Sequence, residues 1–135
     1  MAALRGLSHV VPHVHLVRLK TEDFSWDPLV VEAMNNDPLI AGEAEPTQTI
    51  AEMARAGGQL KGLFGQITLP VLILHGTADK VAKPSGSQHF FDAAGSGDKS
   101  LQMYEGRFYD LLNDTGKELV VSDISQWIDH RLPSH

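Results

Sequence analysis

The chain has 135 residues, 42% of them hydrophobic and 21% charged, a composition that fits an ordinary globular domain and excludes a disordered chain. A formal net charge of −6 without any Lys/Arg run excludes the electrostatic footprint of a nucleic-acid binder. The absence of cysteine excludes disulfides, thiolate metal sites and a cysteine nucleophile, and makes a reducing, cytoplasmic setting the expectation. Residues 1–16 hold three His and one Pro where a signal peptide would have a basic start and an unbroken apolar run. No stretch approaches the roughly 18 apolar residues of a spanning helix, so no transmembrane segment is expected.

The first half reads as irregular up to Asp27-Pro28, where an N-cap residue followed by Pro predicts a short helix running to about Asn35. Asn35-Asn36-Asp37-Pro38 should stop it. A longer helix is predicted from about Thr47 to Leu60, with Ile50, Met53, Ala54, Gly57 and Leu60 or Lys61 on a buried stripe and Gly57-Gly58 as its weak point. Leu69 to Leu74 reads as a strand opened by Pro70, and its unbroken apolar run predicts burial on both faces, as in a parallel sheet. Ser85 to Ala94 fits a helix closed by Gly95. Ser100 to Tyr104 fits a strand with one wet face, near a sheet edge. The last helix should open with a capping box at Thr115-x-x-Glu118, bury Val120, Ile124, Trp127 and Ile128, and end before Pro133.

The order is strand, helix, strand, helix, which implies a parallel α/β arrangement. Two parallel strands cannot stand alone as a sheet, since the free side of Val71 to Leu74 would leave backbone groups unpaired. The chain therefore reads as part of something larger.

Three ordered segments carry a resemblance. They are Ser25-Trp26-Asp27-Pro28 through Val30-Val31-Glu32-Ala33 to Asn35-Asn36-Asp37-Pro38-Leu39, Pro70-Val71-Leu72-Ile73-Leu74-His75-Gly76-Thr77-Ala78-Asp79, and Tyr104-Glu105-Gly106-Arg107-Phe108-Tyr109-Asp110-Leu111-Leu112-Asn113-Asp114. Together they resemble the monoacylglycerol lipase and lysophospholipase-like serine hydrolases, over the C-terminal half of that α/β-hydrolase fold. The resemblance implies a partial cap over residues 1–45, a core segment over 46–135, and a βαβα unit at the edge of a parallel sheet. It implies ester hydrolysis through an acyl-enzyme, on monoacylglycerol-like or small ester substrates, with no cofactor and no metal.

On this resemblance Asp79 is the triad acid. The residues agree, because Asp79 follows the C-terminal end of a parallel strand, where ligands and catalytic groups collect in open α/β sheets. The alternative is a solvated turn carboxylate. The position of the family's catalytic histidine holds Tyr109, and a phenol with a pKa of about 10 cannot shuttle a proton at neutral pH as an imidazole does. Phe108 and Tyr109 are expected to pack at the sheet end with the hydroxyl wet.

His75 and His89 read as packing or surface residues, and His13-x-His15 lacks the third ligand a metal would need. No Gly-x-Ser-x-Gly elbow is present, and Gly95-Ser96-Gly97 reads as a helix stop. Two functions stay open. The chain is part of a serine esterase whose nucleophile lies on an N-terminal half, or it is an inactive hydrolase-derived module that binds a ligand, another protein or a second copy of itself.

Overall fold

A computed structural model describes residues 15–17, 20–40 and 45–133. Strands β1 (His15–Val17) and β2 (Glu45–Pro46) pair antiparallel. The sequence signals neither, since both are shorter than any window in which a period of two can show.

Helix α1 (Pro28–Asn36) forms where the cap residues place it. Asp27 is extended and its carboxylate accepts the Leu29 amide at 2.9 Å, with Pro28 at the first helical position. Beyond it, the Asp37 carboxylate accepts the Leu39 amide at 2.8 Å and turns the chain. Helix α2 (Thr47–Lys61) runs through Gly57-Gly58 without a break. Each glycine costs a helix about 1 kcal/mol, too little to interrupt one already nucleated on both sides. Ala51 is buried, but Met53 and Leu60 are exposed, so only part of the expected stripe finds a partner among the described residues.

Strands β3 (Val71–Gly76) and β4 (Lys99–Tyr104) pair in parallel, in a register running from Val71 opposite Lys99 to Gly76 opposite Tyr104. Helix α3 (Pro84–Ala93) is the crossover between them, and α4 (Lys117–Asp129) follows. The strand predicted at Leu69 starts two residues later. Pro70 has no amide to give, and the first cross-strand bond is from the Val71 amide to the Asp98 carbonyl at 2.9 Å. Burial on both faces is not observed: within β3 only Ile73 and Gly76 are buried. The described strand has one neighbour, so its other residues keep partial access to solvent.

Two predicted helix ends are corrected. Gly95 does not close α3 in a left-handed turn, because Ala94 caps the helix in an extended conformation and Gly95 is not at positive φ. The Lys99 ammonium instead takes the last carbonyls, those of Phe91 and Ala94, at 2.7 Å each. Gly95 serves a close approach, since a Cβ there would meet the Gly65 carbonyl oxygen at 2.0 Å. Thr115 and Glu118 form no capping box: the residue before α4 is Gly116, at φ 73°, without a side-chain cap.

The core lies between the sheet and α4, where Tyr104, Leu111 and Val120 pack with Leu74 and Ile124. Trp127 lies partly buried under the Arg131 guanidinium, which stands 3.8 Å from its ring and pairs with Asp98. Ile128, expected on the buried stripe, is exposed because α4 turns that flank away from the sheet.

Candidate active site

The C-terminal ends of β3 and β4 release two loops that are stitched together by two main-chain bonds and one to a side-chain hydroxyl. The Thr77 amide donates to the Tyr104 carbonyl at 2.9 Å, the Ala78 amide to the Arg107 carbonyl at 3.0 Å, and the Gly106 amide to the Thr77 hydroxyl at 2.8 Å. Gly106 itself takes φ 71°, a left-handed turn that glycine adopts without strain.

Asp79 sits in the first of these loops, three residues beyond the end of β3. Its Oδ1 accepts the amides of Val81 at 2.7 Å and Ala82 at 2.9 Å. Its side chain is only 3% exposed, so it is not the solvated turn carboxylate that turn chemistry alone would favour. Oδ2 stands 3.1 Å from the Nε2 of His75. His75, on β3, bonds through Nε2 to the Ala82 carbonyl at 3.1 Å and through Nδ1 to the Ser87 hydroxyl at 2.7 Å.

Sequence reasoning set His75 aside as packing or surface, and Ser87 was never singled out. The available signal was the spacing itself, a histidine four residues before the acid with a Gly-Thr-Ala turn between them. His89 lies on α3, away from this group, with its ring edge-on to Phe64 at 6.0 Å. His13 falls outside the described residues. Among the described residues no group of three or more His, Asp or Glu is placed to hold a metal ion.

Tyr109 lies in the second loop, half exposed, with its ring edge-on to Phe24 at 5.3 Å. Phe108 packs edge-on to Trp26 at 5.2 Å, and the Lys80 ammonium stands 4.8 Å from the Phe108 ring centroid and 3.3 Å from Asp23. The structure therefore brings Asp79 and Tyr109 to the same end of the sheet without a hydrogen bond between them among the described residues. Phe108 and Tyr109 were expected to pack on the sheet end; their rings instead meet Trp26 and Phe24 of the segment before α1, with Tyr109 open to solvent as expected.

Asp114 anchors the second loop to the segment before α1. This buried carboxylate accepts the Ser25 hydroxyl at 3.1 Å, the Asp27 amide at 3.1 Å and the Thr115 amide at 2.8 Å, and both its oxygens face the Trp26 amide. The Asp110 amide donates to the Phe24 carbonyl at 2.9 Å. An open cleft of about 630 Å³ lies between α1 and Phe108, with Trp26, Val31 and Glu32 in its walls. Asp79 does not line it. No helix among the described residues is long and apolar enough to cross a membrane.

The family described as Serine aminopeptidase, S33 (Hydrolase_4) matches residues 1–116. The chain is 36% identical over 90 residues to a caffeoylshikimate esterase of Arabidopsis thaliana, covering 64% of this chain and 27% of that protein. It is 27% identical over 128 residues to a monoacylglycerol lipase of Mycolicibacterium smegmatis, covering 95% of this chain and 46% of that one. Among solved structures, a soluble variant of monoglyceride lipase from Saccharomyces cerevisiae superposes with a TM-score of 0.84 at 23% identity, over 99% of this chain and 47% of the other. The Paleococcus ferrophilus monoacylglycerol lipase superposes with a TM-score of 0.75 at 25% identity, over 96% and 51%. The chain thus has part of an α/β-hydrolase fold, and it spans about half the length of the lipases it matches.

Proposed function

We propose, from the premise that this chain belongs to the Hydrolase_4 family (Serine aminopeptidase, S33), that it is the acid-bearing part of a carboxylic ester hydrolase. The substrates would be monoacylglycerols or small esters, the chemistry of the relatives named lipase and esterase. Residues 1–45 would belong to a cap and 46–135 to the catalytic core. The serine nucleophile would come from residues outside this sequence, on an N-terminal half of the fold. No cofactor enters the chemistry, and a cytoplasmic setting fits a chain without cysteine.

One observation carries this reading: the Asp79 carboxylate is buried and oriented by two backbone amides at the ligand-binding edge of the sheet. A carboxylate so held would fix an imidazole in the tautomer that accepts the serine proton, and would stabilise the imidazolium that forms. Tyr109 occupies the place of that imidazole in the resemblance. With a phenol there the step has no base at neutral pH, and turnover falls by a factor on the order of 10⁶.

The test is a gain of function. Tyr109→His, assembled with an N-terminal half that bears a Gly-x-Ser-x-Gly elbow, is expected to hydrolyse a short-chain aryl ester and a monoacylglycerol at least about 10³ times faster than the unaltered pair. Adding Asp79→Asn should then remove about 10⁴ of that rate. No gain in the Tyr109→His assembly overturns the reading.

A second reading rests on Tyr109 itself, which packs on Phe24 as a settled aromatic contact. The chain would then be a non-catalytic module that pairs with another copy or another protein through the open edge of β3. Native mass spectrometry separates the two: a different chain bearing the serine elbow favours the hydrolase, and a homo-oligomer favours the module.

A further inference from the structure

Within the hydrolase reading, on which this inference rests, His75 has no assigned part, yet it is the imidazole in contact with Asp79. Its Nε2 faces two oxygens at 3.1 Å, the Ala82 carbonyl and Asp79 Oδ2. Neither oxygen carries a proton to give when the carboxylate is ionised, so Nε2 must hold the ring hydrogen. In the neutral ring Nδ1 is then the acceptor, and the Ser87 hydroxyl at 2.7 Å donates to it.

The order serine, histidine, aspartate looks like a proton relay, but both ring nitrogens are already engaged. The Nε2 hydrogen is shared with a main-chain carbonyl that pins it, and the ring is 11% exposed at its side chain. The group is built for holding. Through it, the last turn of β3, the Asp79 loop and the first turn of α3 are joined by a single side chain.

We infer that His75, with its tautomer set by the Ala82 and Asp79 oxygens at Nε2, is a positioning residue for Asp79: the contact between Nε2 and Oδ2 fixes the rotation of the carboxylate that the Val81 and Ala82 amides hold by Oδ1 alone. Two amides on one oxygen anchor that oxygen and leave the carboxyl group a swing about it. A hydrogen-bearing ring nitrogen beside the second oxygen removes the swing. It also identifies which imidazole cannot serve as the missing base. His75 is committed on both nitrogens, to Ser87 through Nδ1 and to Ala82 and Asp79 through Nε2.

The experiment uses the full chain with ¹⁵N-labelled histidine and ¹³C-labelled aspartate. Long-range imidazole spectra at neutral pH are expected to place His75 in the Nε2–H tautomer, and Ser87→Ala should leave that tautomer in place, since the Ala82 carbonyl and Asp79 still face Nε2. The Asp79 carboxyl resonance is expected to move in His75→Leu and to return most of the way in His75→Gln, whose amide keeps a donor on the Nε2 side. Both variants should lower Tm. A merely structural histidine would lower Tm in both without separating their Asp79 signals, and that result overturns the proposal. An unaltered chain whose His75 already averages between tautomers overturns it without any variant having to fold. None of these readouts needs ester hydrolysis, so a failure of this inference and a failure of the Tyr109→His gain of function are told apart.

Discussion

Gly76 and Arg107 approach so closely that no side chain fits between them: a Cβ built on Gly76 would lie 2.3 Å from the Arg107 carbonyl oxygen and 2.4 Å from that of Phe108. Those atoms are main chain in a loop bonded to Ala78, so they cannot swing aside. Gly76→Ala is expected to destabilise the chain by about 3 kcal/mol, the upper end of ordinary overpacking. Urea unfolding measures it, and a loss below about 1 kcal/mol would mean that the loop moves freely.

Asp114 holds donors from Ser25, Trp26, Asp27 and Thr115 on one buried carboxylate. Asp114→Ala leaves several of them unpaired and should cost about 3–5 kcal/mol, whereas Asp114→Asn keeps one acceptor oxygen and should cost less. The emission of Trp26, read in a Trp127→Phe background, should show the segment before α1 loosening in the alanine variant below the global melting temperature.

Tyr104 is 4% exposed, and its hydroxyl donates to Asp123 at 2.8 Å. Burial first, then that bond and the charge of Asp123, raise its phenol above the ordinary value near 10. A raised value means that the unfolded chain loses this proton first as pH rises. Stability from Tyr104 is therefore fully present below about pH 10 and declines above it, by up to about 1.4 kcal/mol per pH unit until the folded phenol also ionises. Denaturation curves across that range should be steeper in pH for the unaltered chain than for Tyr104→Phe.

Val120 is fully buried in the contact between α4 and the sheet, while Ile128 on the same helix is 44% exposed. Val120→Ala should cost about 2–3 kcal/mol through lost burial and a residual cavity. Ile128→Ala should cost under about 1 kcal/mol, since much of its side chain is already in water. Equal losses at both positions would place the helix in a different rotation.

The helices and the parallel pair were legible because each had a local cause: Asp27-Pro28 for α1, the apolar run ending in His75-Gly76 for β3, and the stripe through Val120 and Ile124 for α4. The ends were less so. Thr115-x-x-Glu118 has the letters of a capping box, but Asp114 takes the Thr115 amide and Arg107 takes the Thr115 carbonyl, and both partners come from tertiary structure. Burial of β3 was overestimated because a sequence reports what a strand can bury and not how many neighbours it has. The place of Asp79 just after β3 was legible in the sequence, but its contact with His75 needed the tight turn between them, and Ser87 needed the crossover helix to come back.

The second loop owes its shape to Gly106, to main-chain bonds with the first loop and to Asp114, and very little to the half-exposed side chain at position 109. Histidine and tyrosine codons differ by a single base. On the role proposed for position 109, one point mutation there would silence the chemistry or restore it without refolding, and selection on activity and selection on stability would act on separate letters of the gene.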